Sequence, residues 1–422
     1  MKRVVAVSLC MMVVFGFAGY AASLSAQQNV VIWAWDQNLP SINYAVEQYQ
    51  KNNPDANVSV DVQNVPETVD KISTFLAAGI GTDLPDIVLM DNLQIQAFLQ
   101  QFPDQFANLS EMGFDEFKDS FSEAHWDVLS HDGALYAFPF DIAPLMLVVN
   151  TEILSKAGVD ADSLKTWADV VAATPAIKDA GYATHIKISD GSVLAMMQSA
   201  GVGIFDKERN IDLLNPKVVE VINVYMELTA SEASDPFLEG GQAFGEGKVA
   251  MQLKPAWLVG EDMPVQTDLD GKVKLMPIPK VKDADGYTSS ANDGGSSFFL
   301  LSASKAKPIA YEICKIITTD MQSQDIALAQ GLMPGYLKAV ELESVNAEIP
   351  YFQGQKIWKM LSESAADTQP IAINEFHSTG RDVFSNVVID QIKTGTDKSA
   401  QELLQEAADL LASQTGLQIT QY

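Results

Sequence analysis

Apolar and polar positions follow a recurring order along the chain. Val30 to Trp35 is a short, nearly apolar run and reads as a buried strand. Ser41 is placed to cap a helix, and Ile42, Ala45, Val46 and Tyr49 follow at helical spacing until Pro54. Val58 to Val62 alternates and predicts a second strand. Pro66-Glu67 opens a helix that carries Val69, Ile72 and Leu76 and stops at Gly79. Asp86 to Met90 is a third strand, apolar enough to be covered on both faces. Strand, helix, strand, helix, strand predicts a parallel α/β sheet.

The same alternation recurs after about residue 140, which predicts a second unit of like architecture. Thr166 caps a helix starting at Trp167, and Pro216 starts another with Val218, Val219, Ile222 and Tyr225 inward. Strands are expected at Val249–Leu253, Lys274–Ile278 and Ser297–Leu301. Helices are expected at 308–318, 323–330 and 400–412.

In parallel sheets of this kind, ligands bind beyond the carboxyl ends of the strands. That rule selects Trp35, Asp36, Gln37 and Asn38 after the first strand, and Asp91 and Asn92 after the third.

Residues 1–26 differ from the rest. Lys2 and Arg3 precede an apolar stretch from Val4 to Ala18, and small residues follow to Ala26, the layout of a secretory signal peptide. The apolar stretch is shorter than the ~20 residues a membrane span needs. Its removal would take Cys10 and leave Cys314 alone, so no internal disulfide is expected and packing must hold the fold. The chain's net charge is −28, and the acids are spread along it. Such a surface repels nucleic acid and anionic lipid and favours a soluble monomer.

Catalytic patterns are missing from the sequence. The histidines at 125, 131, 185 and 377 form no zinc helix, and there is no nucleophile elbow and no dinucleotide fingerprint. Gly245-Glu246-Gly247-Lys248 lacks the hydroxyl of a phosphate loop and reads as a turn. Asp268 to Gly271 and Asp283 to Gly286 lack the far glutamate of a calcium loop. No cofactor or metal is expected. A glycoside-hydrolase carboxylate pair stays open as an alternative, since Asp and Glu number 55.

Several segments taken together resemble the family 1 extracellular solute-binding proteins, the group containing maltose-binding protein. They are Ile32-Trp33-Ala34-Trp35-Asp36, Leu84-Pro85-Asp86 to Asp91, Asp132-Gly133 to Phe138-Pro139, Val149 to Leu154, Thr166-Trp167, Phe244 to Met251, Met276 to Pro279, Gly294-Gly295 and Gly331 to Pro334. They occur in the family's order; Val149 stands where the family often has tyrosine.

The resemblance implies a two-lobe periplasmic-binding-protein fold (type II) hinged by crossover strands near 139–142, 290–294 and 333–337. Lobe one would be 27–140 plus 292–335, and lobe two 141–291 plus 336–422. It implies capture of a mono- or oligosaccharide by hinge closure, delivery to the permease subunits of an ABC importer, and a periplasmic location. A polyol phosphate, polyamine or peptide is the alternative solute. A sugar needs aromatic plates for its C–H faces and bidentate polar groups for its rim. Trp257 is the first stacking candidate, with Trp35, Trp33 and Trp358 behind it. Asp36, Asp91, Asp141, Asp293 and Gln37 are candidate hydroxyl partners. Gly294 and Gly295 would let backbone approach the ligand, and Tyr336 and Arg381 complete the set.

Overall fold

The structure is a computed structural model that describes residues 27–79, 84–185, 189–234 and 240–422. The expected leader, with Cys10, lies outside the described residues.

Two sheets organise the chain. The first has five strands in the order Val58–Asn64, Gln28–Ala34, Ile87–Asp91, Ser296–Leu300, Phe138–Pro139. Its first three strands are parallel, with Val30 opposite Val60 and Ile32 opposite Ile87. The last two run antiparallel to their neighbours, with Phe298 opposite both Leu89 and Phe138. The sheet is therefore mixed, whereas the sequence pattern predicted a parallel one. Ser296–Leu300 enters from the other sheet rather than through a local helical crossover, so nothing forces it parallel.

The second sheet has the order Val273–Pro277, Leu145–Asn150, Val249–Pro255, Ala183–His185. Leu145–Asn150 is central and wholly buried, as its unbroken apolar run requires.

Each sheet has its own core. Trp33, Leu89, Phe114, Phe138, Phe299 and Cys314 belong to one, and Leu147, Trp167, Tyr225, Met251 and Phe384 to the other. A further cluster beneath the second sheet joins Phe244, Leu275, Phe352 and Trp358, and it also takes Leu328 and Met333. Two lobes result.

The chain passes between sheets at three neighbouring places. Phe138–Pro139 leads through Asp141–Ile142 into Leu145–Asn150. Asn292, bridged to Pro144, leads back to Ser296. Met333–Pro334 pairs antiparallel with Asp141–Ile142.

Helix boundaries follow local chemistry. Thr166 forms a capping box with Asp169 at the helix Trp167–Asp179, and Ser399 does so with Glu402 at Ala400–Thr415. Ser41 is a correction. The helix Leu39–Asn52 begins earlier, Asn38 holds the N-cap, and Ser41 is buried with its hydroxyl donating to the Ser323 carbonyl at 3.3 Å. Pro40 in the first turn moved the start, because proline fits there without losing a hydrogen bond.

Candidate functional site

The crossings create a crowded polar centre. Asn292 fastens two of them: its carbonyl accepts from the Ala143 N–H at 2.8 Å, and its amide donates to the Gly294 carbonyl at 2.8 Å. Gly295 has φ +96°, and a Cβ there would lie 2.6 Å from the Asp141 carbonyl oxygen, so only glycine fits. That close approach brings Ser296 to Asp141, whose carboxylate accepts from the Ser296 N–H at 2.8 Å and from its hydroxyl.

Asp141 is 4 % exposed. Burial pushes its carboxyl up to about 7, against the two Ser296 hydrogen bonds and with help from the charge on Asp91. Asp141 thus ties two crossings together and pairs with a third through Pro334.

At the end of the strand Ile87–Asp91, Asp91 accepts from the Leu93 N–H at 2.7 Å. Burial pushes it up to about 6; the Leu93 bond opposes this, Asp293 adds to it, and Arg381 opposes it. Asn92 is buried, accepting from the Ser297 hydroxyl at 2.7 Å and placing its amide nitrogen 3.2 Å from His125 Nε2. Burial holds His125 down, at about 4, so it stays neutral.

Asp293 reaches the same centre from the second crossing. Burial pushes its carboxyl up, Arg381 opposes, and Asp190 adds to the rise. Asp190 and Arg381 form an ion pair at 2.8 Å between the helices Asp190–Ser199 and His377–Phe384. Burial alone would raise Asp190, but the Arg381 hydrogen bond and charge hold it below its usual value. Nearby, Ser378 reaches Gln94 at 3.3 Å and connects the two lobes.

The indoles divide into two groups. Trp257, at the start of the helix Ala256–Val265, is half-buried and packs against the first lobe's core although its helix follows a second-sheet strand. A Cβ on Gly294 would sit 4.0 Å from its Nε1. Trp35 is half-buried at the first strand's end, its N–H donating to Thr68 Oγ1 at 3.2 Å. Asp36 is exposed and accepts from the Gln37 N–H at 2.9 Å.

Trp33, Trp358 and Tyr336 are packed in cores. Trp33 meets Phe75 edge-on at 5.7 Å beneath the Lys71 ammonium, Tyr336 meets Phe121 at 5.7 Å, and Trp358 lies among the residues below the second sheet. Alternation along the strand puts Trp33 and Trp35 on one face, but only Trp35 lies past the strand's end.

Geometry therefore brings Asp91, Asp141, Asp293, Gly294, Gly295, Trp257 and Arg381 to the crossings. It adds Asp190, which the sequence reading missed. The available signal was Ser189 ahead of Asp190-Gly191, a helix start that Ser189 caps through the Ser192 N–H. Among the described residues, no cluster of His, Cys, Asp and Glu could hold a metal ion. Carboxylates, one guanidinium and indole faces together can accept and donate hydroxyl hydrogen bonds beside apolar C–H surfaces.

Comparison with known proteins gives the same architecture. Residues 35–322 match the family described as bacterial extracellular solute-binding protein. A lactose-binding protein of Rhizobium radiobacter is 28% identical over 351 residues, covering 79% of this chain and 81% of that one. An arabinooligosaccharide-binding protein of Bacillus subtilis is 24% identical, covering 86% and 87%. Both relatives are binding proteins. A binding protein associated with an ABC transporter of B. animalis subsp. lactis, solved with beta-1,6-galactobiose, superposes with a TM-score of 0.75 at 22% identity, covering 93% of this chain and all of that one. The GacH receptor of Streptomyces glaucescens, solved unliganded and with acarbose, superposes at 0.74 with 19% identity, covering 92% and 98%.

Proposed function

The chain belongs to the bacterial extracellular solute-binding protein family, and from that premise we propose that it is the sugar-capturing component of an ABC importer, exported to the periplasm as a monomer. The ligand is a mono- or oligosaccharide, received between lobe one (27–140 plus 292–335) and lobe two (141–291 plus 336–422). The partners are the membrane permease subunits. Its relatives' lactose and arabinooligosaccharide names point to this ligand class. Among the described residues no helix is long and apolar enough to cross a membrane.

One observation carries the reading. Trp257 follows a second-sheet strand yet rests on the first lobe's core beside Gly294, and Asp293, the residue before Gly294, acts with Asp91 on Arg381. An indole plate and hydroxyl acceptors thus meet where the lobes join. Stacking on the plate and hydrogen bonding at the rim would both be completed on closure, so ligand favours the closed state by differential affinity. Water exclusion makes each paired hydroxyl count and each unpaired one costly. Capture and release need no nucleophile and no proton transfer, so the sugar leaves unchanged.

The test is a thermal-shift screen with lactose, β-1,6-galactobiose and arabinooligosaccharides, followed by chromatography of the recovered sugar. One sugar class should raise the melting temperature, with about 2.7 kcal/mol of stabilisation at a hundredfold excess over Kd, and come back intact. Trp257→Ala should abolish the shift. Hydrolysed product would replace the reading with a glycosidase; an undiminished shift in the variant would remove Trp257 from the site.

A further inference from the structure

The centre between the lobes has an imbalance of charge. Asp91 comes from the first lobe, Asp293 from the second crossing and Asp190 from the second lobe, and all three act on Arg381. Its Nε is already engaged by Asp190 at 2.8 Å. Asp293 and Arg381 both face Gly191, where an added Cβ would lie 3.3 Å from Asp293 Oδ2 and 3.4 Å from Arg381 Nη2.

His377, one turn before Arg381 on the same helix face, adds no positive charge. Burial first, and then the Arg381 charge, hold its imidazole down to about 4, and its buried Nδ1 has no partner among the described residues. One carboxylate thus already engages the guanidinium and two more act on it, so acceptors outnumber the single cation.

We propose that this cleft selects against anionic glycans, with Asp293 as the specificity-determining residue: uncharged oligosaccharides enter, and sugars with a carboxylate in place of a hydroxymethyl group do not. The inference rests on the sugar-binding reading. Its logic is repulsion built against a near-isosteric competitor. A ligand carboxylate would meet three like charges in a desolvated site, against one guanidinium whose Nε is already paired with Asp190. A hydroxyl in the same place donates to Asp293 or Asp91 and shares their charge.

The experiment is calorimetric titration of the chain from residue 27 onward at pH 7.5 and low salt. The neutral probes are lactose, β-1,6-galactobiose and arabinotriose. The acidic probes are digalacturonate and the lactose analogue oxidised to a carboxylate at the terminal C6. The acids should bind at least ~100-fold more weakly than the best neutral probe. Asp293→Asn should narrow that ratio by ~10-fold or more, and Asp91→Asn should do so in the same direction if the first variant folds poorly. Acids within ~10-fold of the neutral sugars in the unaltered protein would overturn the selectivity, as would an unchanged ratio in both folded variants. Binding of neither set would overturn the sugar reading itself, a separate and recognisable outcome.

Discussion

Replacing Asp141 by asparagine should make the protein more stable above neutral pH and less stable in acid. The ordinary carboxyl value is 3.8, and burial lifts that of Asp141 to about 7. At about 1.4 kcal/mol per pH unit, that gap corresponds to roughly 4 kcal/mol. Its sign follows from proton counting. Below 3.8 the group is protonated whether folded or unfolded. Between 3.8 and about 7 the folded state keeps a proton that the unfolded chain has released, so stability falls as pH rises. Above about 7 the full loss is present, because the folded state then holds a buried carboxylate.

The substituted side chain would keep an oxygen for the Ser296 N–H and hydroxyl, and it cannot ionise. Its new amide N–H group costs about 1–3 kcal/mol if unpaired. The net expectation at pH 8 is a gain of about 1–3 kcal/mol, turning into a loss of similar size near pH 4, where the carboxyl is protonated and only the amide cost remains. Urea unfolding of both proteins at pH 4, 5, 6, 7 and 8 measures the difference directly. Adding Asp91→Asn to the unaltered protein should lower the pH at which its loss is complete, since the Asp91 charge raises Asp141. A stability difference that stays flat from pH 4 to pH 8 would refute the reasoning.

The packing makes further predictions. Gly295→Ala places a Cβ 2.6 Å from the Asp141 carbonyl oxygen at φ +96°, and should destabilise by ~2 kcal/mol or more in the same urea assay. Gly260→Ala would put a Cβ 2.3 Å from the Gly331 Cα, where the helix Ala256–Val265 meets the chain leading into the third crossing; a loss of about 1–3 kcal/mol is expected, with ligand affinity reduced as Trp257 shifts. Cys314 is fully buried and its thiol is pushed well above the usual value, so a thiol reagent should label the chain from residue 27 onward only after urea unfolds it.

The element types were written locally. An apolar run from Asp86 to Met90, a threonine cap at 166 and a proline at 216 each act within a few residues, so strand, cap and helix start could be assigned from the chain alone. The carboxyl-end rule pointed to Asp91 and Trp35 for the same reason: where a parallel strand stops is a local fact. Trp33 and Trp35 show the limit, because two residues on one strand face differ only in what covers them, and the Phe75 and Lys71 that cover Trp33 arrive on another element. The antiparallel entry of Ser296–Leu300, the meeting of Asp190 with Arg381 191 residues away, and the burial that lifts Asp141 were decided by the tertiary structure. Pairing, charge and desolvation between distant segments depend on how two lobes share three crossings, and no spacing along the chain encodes that distance.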